Sequence, residues 1–222
     1  MGLRLSRGVG LFAAMLSAGA LRAETVRVRY PEGLVHGFLT LRSLDGAILA
    51  EGDQIQFLHE GRVTSRLLLK FRDGSVNDET VVFTQDKVFR LVSDRLIQKG
   101  PSFPNPVDLS IDATTGMVAA RYTDDGKPKS VEEKMDLPPD LANGLVLTLI
   151  KNLDSKTPLT TVSMIAASPK PRLVNLAISP AGETSFKVGT SRRQSVHFVV
   201  HIEIGGVAGA VAPIVGKQPP DT

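Results

Sequence analysis

The chain contains no cysteine. That excludes a disulfide framework, a thiolate metal site, a cysteine nucleophile and lipid attachment through a lipobox thiol. The fold must rest on a packed core alone, and about 200 residues suffice to build one. A membrane-spanning apolar run is also missing: the stretch 9–16 is well short of the roughly 20 residues that cross a bilayer as a helix. Missing too are the signatures of common chemistries. There is no G-x-S-x-G elbow, no H-E-x-x-H, no Walker loop and no dinucleotide fingerprint, and the glycines of 205–209 lack the βαβ setting that would give them meaning. Adjacent acids such as Asp78-Glu79 and Asp124-Asp125 read as solvated turn residues. The chain therefore reads as non-enzymatic, with no cofactor and no metal.

What is present begins with a leader. Residues 1–23 carry Arg4 and Arg7, then the apolar run, then small residues around Ala20 and Ala23, the three-part plan of a secretory signal peptide. Export follows as the expectation, to the periplasm or the outside, with no transmembrane span in the mature chain. The leader also explains the apparent basicity. It holds three of the 26 lysines and arginines and no acid, which leaves 23 bases against 23 acids in the rest. A formally neutral mature chain gives no support for a nucleic-acid partner, which calls for a basic surface on the folded domain.

Alternation with period two dominates the body. In residues 62–72, Val63, Leu67, Leu69 and Phe71 share one face while Arg62, Thr64, Arg66, Lys70 and Arg72 share the other, as in a strand with one buried and one solvated side. Strands are also expected at 26–30, 37–41, 54–58, 79–84, 88–96, 107–112, 117–122, 130–135, 159–166, 172–178, 184–188 and 195–204. Asp45-Gly46, Glu60-Gly61, Asp73-Gly74, Gln85-Asp86 and Asp125-Gly126 punctuate them as hairpin turns, favouring an antiparallel meander. One segment breaks the pattern. Residues 138–153, PPDLANGLVLTLIKNL, open on prolines and continue apolar on several sides, which predicts a buried helix over 141–153. The fold class expected is mainly β, a single curved antiparallel sheet wrapped, half-barrel-like, around that helix. Residues 24–204 form one domain, and 205–222 a Gly/Ala/Pro-rich tail whose abrupt end suits a truncated chain as well as a natural terminus.

Two clusters invite a functional reading. SVHFVVHIEI at 195–204 places His197, His201 and Glu203 on one face. The histidines lie roughly 13 Å apart along a strand, so one metal cannot bind both, and the set reads as a solvated face. The cationic row Arg62, Arg66, Lys70 and Arg72 is a candidate surface for a partner or an anionic headgroup, weighed against a solvated face paired with Asp78 and Glu79.

An exported, cysteine-free chain of successive antiparallel strands with one apolar helix resembles, in overall plan, the half-barrel of bacterial outer-membrane lipoprotein carriers and uncharacterised exported proteins of similar architecture. The resemblance implies an apolar pocket between sheet and helix, lined here by Leu67, Leu69, Phe71, Phe83, Phe89, Leu91, Leu145 and Leu149, that takes a lipid or other apolar ligand. The alternative is an interaction module of an envelope complex, using a strand edge or the cationic face, with a filled core.

Overall fold

The computed structural model describes residues 25–124, 126–168 and 170–203. The leader and the tail from Ile204 onward lie outside the described residues. Eleven strands and one helix make up the rest: β1 (Val35–Arg42), β2 (Ile48–His59), β3 (Arg62–Phe71), β4 (Val76–Gln85), β5 (Phe89–Lys99), β6 (Val107–Asp112), β7 (Met117–Asp124), β8 (Lys127–Lys134), α1 (Val146–Asn152), β9 (Thr160–Ala166), β10 (Arg172–Val188) and β11 (Ser191–Glu203).

Strands β1 to β8 form an antiparallel sheet in sequence order, each paired with the next. The turns behave as their residues dictate. Glu60 and Gly61 both have positive φ, 48° and 74°, which is the two-residue hairpin turn whose twist matches the flanking strands. A bulge between Val82 and Phe83 shifts the alternation of β5, so that Phe89 and Leu91 before it and Asp94 and Leu96 after it face the same side.

A single sheet wrapped around a helix is not what forms. Strands β9, β10 and β11 make a second, three-stranded sheet in the order β11-β10-β9, and neither sheet is closed or strongly curled. The reason is one of size. An eight-stranded sheet is about 34 Å wide, whereas seven helical residues reach about 10 Å, so most of the cover must come from elsewhere. Val162 and Ile165 of β9 and Leu176 and Ile178 of β10 supply it, packed in one core with Val63, Val81, Phe83, Leu109, Ile111 and Val118 of the large sheet.

The helix is shorter than the apolar run predicts, starting at Val146. Gly144 has φ +65°, a left-handed conformation that a right-handed helix cannot pass through. The preceding residues serve β9 instead. Leu141 bridges Ser163, and the side chains of Asp140 and Asn143 hydrogen-bond the β9 backbone. Residues 26–30 likewise form no strand beyond one bridge, Arg27 to Val88. The end of this segment is clasped by the last residue of α1: the N–H groups of Arg29 and Tyr30 both donate to Asn152 Oδ1 at 2.8 Å.

Candidate functional site

Five of the eight pocket positions implied by the resemblance, Phe83, Phe89, Leu91, Leu145 and Leu149, are buried in the common core, and Phe83 and Phe89 contact each other edge to face. Leu69 and Phe71 are half-buried, Phe71 against Phe103. Leu67 borders free space. That space is a cavity of about 220 Å³ lined by Gln54, Ser65, Leu67, Glu79, Val81, Gly144, Val146, Leu147 and Met164. Its walls are mixed: the side-chain amide of Gln54 donates to Ser65 Oγ at 3.1 Å, while Met164 and Val146 supply apolar surface.

Glu79 introduces a feature that a plain core lacks. On β4 it shares the inward parity of Val81 and Phe83, and on β5 Asp94 shares that of Leu96. The register sets Val81 opposite Asp94 and Glu79 opposite Leu96, so the two acids are diagonal neighbours on one face. Asp94 is 2% exposed, and neither carboxyl oxygen has a hydrogen-bond partner. Burial first, and then repulsion by Glu79, push the Asp94 carboxyl well above the usual carboxylate range. The backbone N–H of Arg95 acts against the shift by favouring the ionised form. Burial also pushes Glu79 up to about 7, opposed by a hydrogen bond from the Gly144 N–H.

Residues 140–145 form a strap across this pair. Asp140 Oδ2 accepts from the Ser163 N–H at 2.8 Å, and the Ala142 N–H donates to the Ser163 carbonyl at 2.8 Å. Asn143 both donates to the Ile165 carbonyl, 2.9 Å, and accepts from the Ile165 N–H, 2.8 Å. Two short polar side chains thus stand in for a neighbouring strand along β9. At Gly144 the strap comes so close to the sheet that a Cβ would lie 2.7 Å from Val81 Cβ and 3.0 Å from Asp94 Oδ1.

The cationic row is exposed as the alternation predicts, but it is dispersed and partly neutralised. Arg62 and Lys70 lie about 26 Å apart along β3 with Arg72 in the turn beyond it, and Arg66 is held by both carboxylate oxygens of Asp78 at 2.8 and 2.7 Å. Glu79, expected to help pair this row, faces the other way. On the same outer side Arg95 is held by Asp108 at 3.1 and 3.0 Å. His197, His201 and Glu203 fall on β11, and among the described residues no group of three His, Cys, Asp or Glu side chains is placed to hold a metal ion.

A surface that the alternation did not flag lies at the other end of the large sheet. Phe38 on β1 is 81% exposed, and Ile55 and Phe57 on β2 are 50% and 46% exposed. The pairing of His36 with Ile55 and of Phe38 with Asp53 puts Phe38 and Ile55 on one face, where the ring of His36 packs 4.8 Å from that of Phe38 and its Nε2 lies 3.1 Å from Asp53. Comparison with family models, curated proteins and solved structures finds no match for this chain.

Proposed function

We propose that the protein is an exported, non-catalytic module of the cell envelope that binds a partner polypeptide by strand addition at β1. The observation that carries this reading is an edge strand flanked by exposed Phe38, Ile55 and Phe57. An unpaired edge offers main-chain hydrogen bonds for affinity, and adjoining apolar side chains give selectivity.

The other edges favour β1 by contrast. β8 carries Pro128 and Lys127, Lys129 and Lys134, the residue types that discourage pairing at an edge. β9 is occupied by Asp140 and Asn143, and β11 starts with exposed Arg192 and Arg193. β1 has only Arg42 and His36 and, among the described residues, pairs with β2 alone.

A photo-reactive phenylalanine analogue at position 38 tests the proposal in cells. A discrete crosslinked adduct is expected, absent when the same analogue replaces the loop residue Thr115. Equal labelling from both positions, or none from 38, would sink the reading. Phe38→Asp is expected to abolish binding at less than about 0.5 kcal/mol of stability, because the side chain is a surface one.

A second reading rests on the cavity beside Leu67. At about 220 Å³ it lies below the roughly 300–1,000 Å³ of typical ligand sites. It therefore suits a small amphipathic molecule, with Glu79, Gln54 and Ser65 as polar contacts, better than a whole lipid. Organic extraction of protein purified without detergent, followed by mass spectrometry, checks it: a stoichiometric small molecule supports it, and a clean extract counts against it.

A further inference from the structure

We propose that Glu79 and Asp94 form a proton-operated latch beneath the 140–145 strap, closed while the pair holds its protons and loosened when they leave. Both acids lie on the inward face of the large sheet, directly under the point where the strap makes its closest approach. The Gly144 N–H reaches Glu79, and the Gly144 Cα has no room for even a methyl group between Val81 and Asp94. Both Asp94 carboxyl oxygens are shut off from solvent at the surface, and neither has a hydrogen-bond partner among the described residues.

Among the described residues no cation facing the pair offsets it. From β3 the facing residues are Ser65 and Leu67, from β2 Gln54, and from β6 Ile111 opposite the Asp94 strand position and Leu109 opposite Leu96. Val146 and Leu147 of α1 and Met164 of β9 complete the cavity wall. The strap's own acid, Asp140, is already bound to Ser163, and the strap's basic contact, Arg90, reaches only the Pro139 carbonyl. Lys151 of α1 is paired with Glu32. Asp78, Arg95 and Lys99 of the same two strands lie on the outer parity, where Arg66 and Asp108 engage the first two.

The direction of the switch follows from linkage. A carboxyl that titrates high in the closed form and normally in an open, hydrated one binds its proton more tightly when closed. The closed form therefore weakens as pH rises from the ordinary Glu value, 4.5, to the closed-form value of about 7 for Glu79, and the loss levels off beyond it. Asp94, also raised, deepens the effect in the same direction. Opening transfers one proton per acid to water, lets the carboxylates hydrate, and exposes the cavity between strap and sheet.

Hydrogen exchange of the full chain from pH 5 to pH 8, corrected for the intrinsic pH dependence of amide exchange, reads the latch directly. The strap amides Asn143, Gly144 and Leu145 are expected to open about tenfold more per pH unit up to about pH 7 for each proton released, while β6 and β7 amides stay level. In a Glu79→Gln/Asp94→Asn variant the strap slope should vanish. A flat strap profile in the wild-type chain, or a slope surviving in the variant, overturns the proposal. Should the variant fail to fold, carboxyl-carbon NMR of the wild-type protein decides instead: both acids titrating in the ordinary range overturns it, and a raised pair supports it.

Discussion

Gly144 is where sequence and structure are most tightly bound at the scale of one residue. Its left-handed backbone ends the apolar run's claim to be one long helix, and its missing Cβ lets the strap lie against Val81 and Asp94. Gly144→Ala adds a strained φ and a clash together, with an expected loss of about 2–4 kcal/mol in chemical denaturation. The buried acids were legible in principle, because Glu79 stands two residues before Val81 and Asp94 two before Leu96 on the inward parity. Adjacency to Asp78 made Glu79 look like one of a solvated pair. The bulge at Val82/Phe83 hid the parity of Asp94, since a one-residue shift exchanges the faces and leaves no mark in composition.

Among the elements, strands were readable and their covering was not. β6 spans 107–112, as the alternation predicts, and most other strands differ from expectation by a few residues at the ends. The runs 172–178 and 184–188 merge into one long β10, because a bulge between Pro180 and Glu183 carries the pairing with β11 past the proline. That the apolar run 138–153 would divide into strap and helix depends on what Asp140 and Asn143 bind, and those partners lie 23 and 22 residues away in β9. Asn143→Ala should remove both bonds to Ile165 and leave its buried backbone groups unsatisfied, costing roughly 2–4 kcal/mol. It also bares part of the β9 edge, so light scattering should show concentration-dependent self-association that the wild-type protein lacks.

For the molecule as a whole, its acids pull stability in opposite directions with pH. Asp78 is held low by its bonds to Arg66, and Asp112 is held at about 2 by the hydroxyl and N–H of Thr114. Such groups stabilise the fold above their unfolded values, and that support is lost as pH falls through their folded ones. Glu79 and Asp94 act with the reverse sign, weakening the fold as pH rises from the ordinary carboxylate range through their raised folded values, about 7 for Glu79. The thermal midpoint is therefore expected to peak near about pH 5 and to decline toward pH 8, with the decline removed in the Glu79→Gln/Asp94→Asn variant; scanning calorimetry across that range checks it. The clasp on Arg29 and Tyr30 has a consequence in time. Strands β1 to β8 each pair with the strand just made, so loop closure is short at every step and the large sheet can zip in order of synthesis. The N-terminal segment, though made first, is fastened late and in two stages: Val26 and Val28 bond Phe89 and Lys87 once the β4–β5 hairpin exists, and Arg29 and Tyr30 are clasped only when Asn152 arrives from more than 120 residues downstream.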